Sequence, residues 1–190
     1  MREKRPIKKD EWAIVLDFLS HGHSSMDRSQ TMAHVIGGDF FSLLEIIIRD
    51  DVSLKIGDRI YIGEGKRDNV RYIRGRIGIS ELTVSARGEL EDVIDEIVKK
   101  NPERFLVFFN KSGNISTRLH QLELLPGVGK RHLWAIIKER KIGPFESFDD
   151  IKKRVPLLPD PEKMVVKRIT EELEDKDKHR IFVPRMEKGR

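Results

Sequence analysis

Apolar residues follow two different periods along the chain, and the change from one to the other divides it. Up to about residue 110, short apolar runs alternate with turn signals, the pattern of a small β domain. The first run is Trp12 to Leu19. A second, Phe40 to Arg49, follows the turn pair Gly37-Gly38 and sets Phe40, Leu44, Ile46 and Ile48 on one side of the pleat, because strand side chains alternate. A third strand is expected after the turn at Gly57-Asp58, and a fourth from Val70 to Ile79, joined to it by the polar loop Lys66-Arg67-Asp68-Asn69 read as a hairpin. Leu90, Val93, Ile94, Ile97 and Val98 then fall on one helical face, ended by Asn101-Pro102. The apolar run Phe105 to Phe109 reads as a fifth strand.

Beyond residue 111 the period is helical to about residue 174. Helices are expected over Thr117 to Leu124 and Lys130 to Arg140, the second burying Leu133, Ile136 and Ile137. Ser147 opens another as a cap, and Asp160-Pro161-Glu162 opens the last, with a capping Asp and Pro at the first helical position. Val165, Ile169 and Leu173 line its inner face. The expected architecture is α+β in two domains. A small OB-like β-barrel over 1–111 precedes an all-α helix-hairpin-helix domain over 112–175, and a basic tail over 176–190 carries Ile181 to Pro184 as a short docking strand.

Composition narrows the chemistry. Hydrophobic residues are 38% and charged residues 36% of 190, the balance of a folded chain with a heavily charged surface. No apolar run reaches the roughly 18 residues of a membrane span, and the start Met1-Arg2-Glu3-Lys4-Arg5-Pro6 lacks the apolar stretch of a secretion signal, so a cytoplasmic setting is expected. The absence of cysteine excludes disulfides, thiolate zinc sites and thiol nucleophiles. A net charge of +5 and a pI near 9.4 favour a phosphate-bearing partner without specifying one.

The specific signal is Leu125-Pro126-Gly127-Val128-Gly129-Lys130-Arg131. Gly127 and Gly129 permit a tight corner and close approach to the main chain, and Val128 can anchor it inward. The first amides of the following helix lack partners and face an anion with the helix dipole behind them. Lys130 and Arg131 add charge beside that spot. Leu125 to Arg140 resembles the helix-hairpin-helix motif of DNA- and RNA-binding proteins, and Gly143 to Ile151 resembles the connector to a second hairpin in tandem versions. By that pattern the second hairpin falls at Leu157-Leu158-Pro159-Asp160-Pro161, degenerate for want of glycine. The β domain followed by this motif is similar to an uncharacterised archaeal family of predicted RNA-binding proteins. The resemblance implies an OB-like domain, a cytoplasmic setting and a nucleic-acid partner, with RNA favoured over DNA on that ground alone.

A second contact is expected in the β domain, where Tyr72, Arg74 and Arg76 alternate onto one side of their strand, with Ile73, Ile77 and Ile79 on the other. A ring and guanidinium groups on an open face can stack bases and hold phosphates, and Lys66, Arg67 and Arg71 extend the basic region. An ordinary solvated strand face is the competing reading. No metal or cofactor is expected, apart from a monovalent cation of the kind hairpin carbonyls hold in helix-hairpin-helix proteins. His21-Gly22-His23 lacks a third ligand and reads as loop, and Gly63-Glu64-Gly65-Lys66 is too poor in glycine for a phosphate-binding loop.

The expected function is therefore non-catalytic nucleic-acid binding through backbone phosphates. One alternative is a DNA glycosylase-like repair enzyme, since Gly143-Pro144 and Asp149 stand at comparable spacing; against it, Asp149 is better explained as a first-turn helix carboxylate and the chain carries β structure upstream. The other is a protein-binding scaffold in which the hairpin is structural.

Overall fold

A computed structural model describes residues 9–19 and 30–185. Among them the chain forms two compact units that divide between Val93 and Ile94, with Phe182 onward belonging to the first. Together they make an α+β protein in which strands precede helices. His21, Gly22, His23 and Met26 lie outside the described residues.

The first unit is a curled, antiparallel half-barrel of β1 (Trp12–Leu19), β2 (Met32–Gly37), β3 (Leu43–Ile48), β4 (Arg59–Tyr61) and β5 (Val70–Arg76), in the order β4-β1-β2-β3-β5. Its core comes from one face of every strand: Ala13, Val15, Ala33, Val35, Leu44, Ile46, Ile48, Ile60 and Val70. Burial of these aliphatic side chains is the main force holding the sheet. Asp10, itself buried, fixes the turn before β3 by accepting the amides of Asp39 and Phe40 at 2.8 and 2.7 Å. That turn carries Phe41 at φ 55°.

Three expectations for this unit change. β2 has no counterpart among the expected strands; all six of its residues are buried, so it has none of the polar alternation by which a strand is recognised. The loop at 66–69 is not a hairpin, because β4 pairs with β1 and β5 with β3, at opposite edges of the sheet. Residues 62–69 thus strap one rim to the other, with Arg67 Nε donating to the Gly63 carbonyl at 2.9 Å.

The third change is in β5, whose side chains do not keep a strict alternation. Its pairing with β3 shifts between Gly75 and Ile73 and again between Tyr72 and Val70, so Arg74 and Arg71 are the extra residues of two bulges. Tyr72 lies opposite Ile47, while Arg76 lies opposite the core residue Leu44. The two are therefore not on one pleat face.

The far side of β1 to β3 carries a buried polar chain. Fully buried His34 meets Glu45 at 3.4 Å, its Nδ1 accepts the Thr83 amide at 3.3 Å, and Thr83 Oγ1 donates to Asp17 at 2.6 Å. Thr83 also accepts the Ala86 amide at 3.1 Å, capping α1 (Val84–Lys100), within which the two units divide.

The second unit contains α2 (Pro102–Lys111), α3 (Lys130–Ile142), α4 (Phe148–Arg154) and α5 (Pro161–Leu173). The expected fifth strand is α2. Proline sits in its first turn, and Phe105, Leu106 and Phe109 face inward while Val107 is exposed, a helical spacing hidden inside a continuous apolar run. The helix expected over Thr117 to Leu124 is only a single 3-10 turn, Gln121–Leu124. Ser116 Oγ accepts the Arg118 amide at 3.3 Å and the Leu119 carbonyl accepts that of Ile115 at 2.8 Å, so local turns take the groups a helix would use. Ile181 to Pro184 forms no strand.

Helix starts follow the expected caps. Ser147 Oγ accepts the Asp150 amide at 3.0 Å, and Asp160 accepts those of Glu162 and Lys163 at 3.0 and 3.3 Å. Leu133, Ile136, Val165 and Ile169 are buried as their spacing implies, while Ile137 and Leu173, at the margins of their faces, are half-buried. Among the described residues, no helix is long and apolar enough to cross a membrane.

Candidate functional site

The chain enters the corner before α3 from the 3-10 turn, with Leu122 of the turn and Leu125 just after it buried. The Val128 amide donates to the Leu125 carbonyl at 3.1 Å, with Pro126 and then Gly127 at φ 86° between them. Proline second and a left-handed glycine third are what a type II turn requires. Val128 is buried beneath it, while Gly127, Gly129, Lys130 and Arg131 are exposed.

The two glycines serve different ends. Gly127 has the conformation that side chains resist, and a Cβ there would lie 3.1 Å from Pro159. Gly129 is extended (φ −95°, ψ −178°), and a Cβ there would meet nothing within 4 Å. Neither conformation nor packing demands glycine at 129; its effect is to leave the surrounding main chain uncovered.

What it uncovers is a set of donors. Gly129 is the N-cap of α3 and has no side chain to cap with. The amides of Lys130, Arg131 and His132 carry no hydrogen bond among the described residues; the first helical bond runs from Leu133 to the Gly129 carbonyl at 2.9 Å. Converging N–H groups at the positive end of a helix dipole attract an oxyanion. The Gly127 carbonyl accepts from His132 Nδ1 at 3.0 Å, so one oxygen that could face a cation is already engaged.

A second corner in the same unit gives an internal comparison. Leu158 donates to the Val155 carbonyl at 3.3 Å across Pro156 and Leu157, and Leu157 has φ 77°. Val155-Pro156-Leu157-Leu158 therefore repeats the turn of Leu125-Pro126-Gly127-Val128, two residues earlier than the sequence pattern suggests. Pro159 is added before the N-cap, and that cap is Asp160. Burial would raise the pKa of Asp160, but the hydrogen bond from Lys152 at 2.9 Å and the two helix amides outweigh it and hold the carboxyl below its ordinary value. The second corner thus supplies its own anion, whereas the first has none.

The two cations beside the first corner differ. Lys130 Nζ reaches back to Glu123 at 2.9 Å and to the Arg118 carbonyl at 3.0 Å. The Lys130 hydrogen bond, with the one from the His120 amide, keeps the Glu123 carboxyl below its usual range. Arg131 has no partner among the described residues. His120 caps the 3-10 turn, its Nδ1 accepting the Leu122 amide at 3.1 Å, and burial together with Arg140 lowers its pKa.

On β5, Tyr72, Arg71, Arg74 and Arg76 are all exposed. Tyr72 OH donates to Gln30 at 3.0 Å, and Arg74 pairs with Glu45 at 3.0 Å. Arg71 and Arg76 have no partner among the described residues. On the strap, Lys66 lies 3.6 Å from Asp68, and Arg67 is held by its bond to Gly63. The corner and the β5 residues belong to different units.

Two features carry no motif in the sequence. Arg154 donates to the carbonyls of Glu139, Gly143 and Pro144 at the end of α3 and stacks on Phe145 at 4.5 Å, closing the helix that the corner begins. Trp134 stands on α3 with its ring exposed, an aromatic at a position where the helical pattern calls for a polar residue. Asp149, the carboxylate of the glycosylase alternative, is exposed in the first turn of α4 and lies 3.6 Å from Lys152. No group of three or more metal-ligating side chains occurs among the described residues.

The half-barrel and the helical unit with its paired corners together define one family. Residues 9–184 match the model of a protein family of unknown function, DUF655, and the chain belongs to it. It is 40% identical over 184 residues to the uncharacterized protein MJ0038 of Methanocaldococcus jannaschii, covering 96% of this chain and 83% of that one. The crystal structure of Af1531 from Archaeoglobus fulgidus, of the same family, is similar with a TM-score of 0.85 and 44% identity, spanning 92% of this chain and all of that one.

Proposed function

We propose that the protein binds nucleic acid without reacting on it, gripping a backbone phosphate at the corner before α3. In this reading the helical unit acts as a helix-hairpin-helix module whose second corner is structural, and the half-barrel acts as an OB-like module. The observation that carries it is the contrast between the corners: Asp160 fills the donor set of one, while Gly129 leaves the other bare and open. Arg131 supplies a bidentate donor beside the phosphate, and Lys130 joins it by releasing Glu123. The half-barrel supplies the second contact around the edge strand β5, with Tyr72 and Arg74 on one face and Arg76 on the other, and with Arg71, Lys66 and Arg67 extending the basic region. RNA is the favoured partner, on the family resemblance alone. A monovalent cation at the corner carbonyls is compatible with this grip, since a carbonyl oxygen has two lone pairs.

The Gly129→Asp variant tests the reading. An aspartate at this extended, unobstructed N-cap would accept the helix amides as Asp160 does, adding on the order of 0.5 kcal/mol of stability. It would also occupy the phosphate position with a fixed negative charge. Thermal melts are expected to rise slightly while the affinity for a mixed-sequence RNA, followed by fluorescence anisotropy, falls at least ten-fold. Unchanged affinity with intact folding removes the corner from the mechanism.

A further inference from the structure

The outward face of α3 combines exposure, charge and an aromatic ring in a way the corner alone does not use. Leu133, Ile136 and Arg140 turn inward, Arg140 donating to the Phe109 carbonyl at 3.0 Å. With 3.6 residues per turn, the opposite face presents Arg131, Trp134, Lys138, Lys141 and Ile142. Trp134 is 64% exposed and touches no other ring or cation among the described residues. The chain's other tryptophan, Trp12, is covered by Arg59 at 4.4 Å and by the edge of Tyr61 at 5.2 Å. An uncovered indole is an unusual cost for a surface, since burying a large ring is strongly favourable.

Charge decides what would cover it. Arg131, Lys138 and Lys141 have no carboxylate partner among the described residues, and the one acidic residue of α3, Glu139, is engaged by Arg154 at 3.5 Å. A helix partner would require a continuous apolar stripe, but Lys138 separates Trp134 from Ile142. Cations on both sides of one flat ring suit a polyanion that carries flat rings of its own. From Arg131 to Lys138 the helix rises about 10 Å, which sets the two cations on either side of the Trp134 ring along the helix.

We propose that this face receives an unpaired segment of the nucleic acid next to the phosphate bound at Gly129, with Trp134 stacking on a base and Arg131 and Lys138 contacting the flanking phosphates. The inference rests on the corner being a phosphate site and adds the substrate class: a strand with unpaired nucleotides, in preference to a blunt duplex. Base stacking on an aromatic ring is tolerant of sequence, so no particular base is specified.

The test compares Trp134→Ala with the unaltered chain on two probes, a blunt RNA duplex and the same duplex with a three-nucleotide overhang. The variant is expected to weaken overhang binding on the order of ten-fold and to leave the blunt duplex unchanged. In a Trp12→Phe background, the remaining Trp134 emission is expected to be quenched by the overhang probe and not by the duplex. Equal affinities of variant and parent for the overhang, or equal losses on both probes, overturn the proposal while leaving the corner in place. Insensitivity of both probes to Gly129→Asp overturns the corner reading instead. Quenching by poly-glutamate and not by RNA reassigns the face to an acidic protein segment.

Discussion

His120 shows how the corner's geometry depends on a protonation state. Its Nδ1 must be unprotonated to accept the Leu122 amide, and burial together with Arg140 and Lys130 holds its pKa below the ordinary 6.5. Because the folded value lies under the unfolded one, the stability gained from the neutral cap is complete above about pH 6.5 and is lost as pH falls through the folded value. An NMR titration should find His120 protonating later on acidification than a model imidazole, with faster exchange of the Leu122 amide below that point. A His120→Asn variant, which retains an N-cap acceptor, should abolish that pH dependence. At this scale the sequence is informative about the corner itself: Pro126, Gly127 and Val128 occupy the positions a type II turn assigns them. It is silent about Lys130, because a pair with Glu123 across the turn is a product of three-dimensional closure. Trp134 is within reach of sequence reasoning, since its position on the wheel of α3 is opposite Leu133 and Ile136.

Between elements, the instructive comparison is of the two corners. Gly127 and Leu157 both hold positive φ, but only the first is a residue suited to it. Left-handed backbone costs an L-residue about 1–2 kcal/mol, and Leu157 is 73% exposed, so little packing offsets that cost. Leu157→Gly is therefore expected to stabilise the protein by up to about 1 kcal/mol after the entropy of the freer unfolded chain is deducted, a rise of about 2–4 °C in Tm. A fall in Tm would mean that Leu157 contributes packing its exposure conceals. The same comparison moves the second corner: the family pattern sets it at Leu157-Leu158-Pro159, whereas the matching turn is Val155-Pro156-Leu157-Leu158, with positive φ directly after Pro156 as it is after Pro126. α2 and β2 escape sequence reading for a common reason. Phe105 to Phe109 and Met32 to Gly37 are nearly uniform runs, and periodicity cannot separate helix from strand where every position is apolar or buried. A strand with one wetter face, such as β1, is legible to the residue.

For the molecule as a whole, each unit carries cations that no carboxylate neutralises among the described residues: Arg71 and Arg76 in the first, Arg131 and Lys138 in the second. Removing a side chain that neutralises one phosphate should flatten the dependence of log affinity on log salt by about 0.7 to 0.9. Arg131→Ala should therefore lower the slope by roughly one, Arg71→Ala with Arg76→Ala by roughly two, and the triple variant by the sum where the two sets of contacts act independently. A triple variant no worse than the stronger parent would mean that losing one surface already forfeits the contacts of the other. The α+β character and the helical second half are readable from the change of period. The sheet order is not, because pairing β4 with β1 and β5 with β3 joins segments far apart in sequence.

That order leaves residues 62–69 as a span between opposite rims. Closure entropy grows only slowly with length, about 0.6 kcal/mol for each doubling, and residues 64–66 at its outer bend are exposed. A reporter peptide or tag spliced at Gly65 should consequently leave the fold intact, so that an insertion there would disturb the second contact through Lys66 and Arg67 without unfolding the sheet.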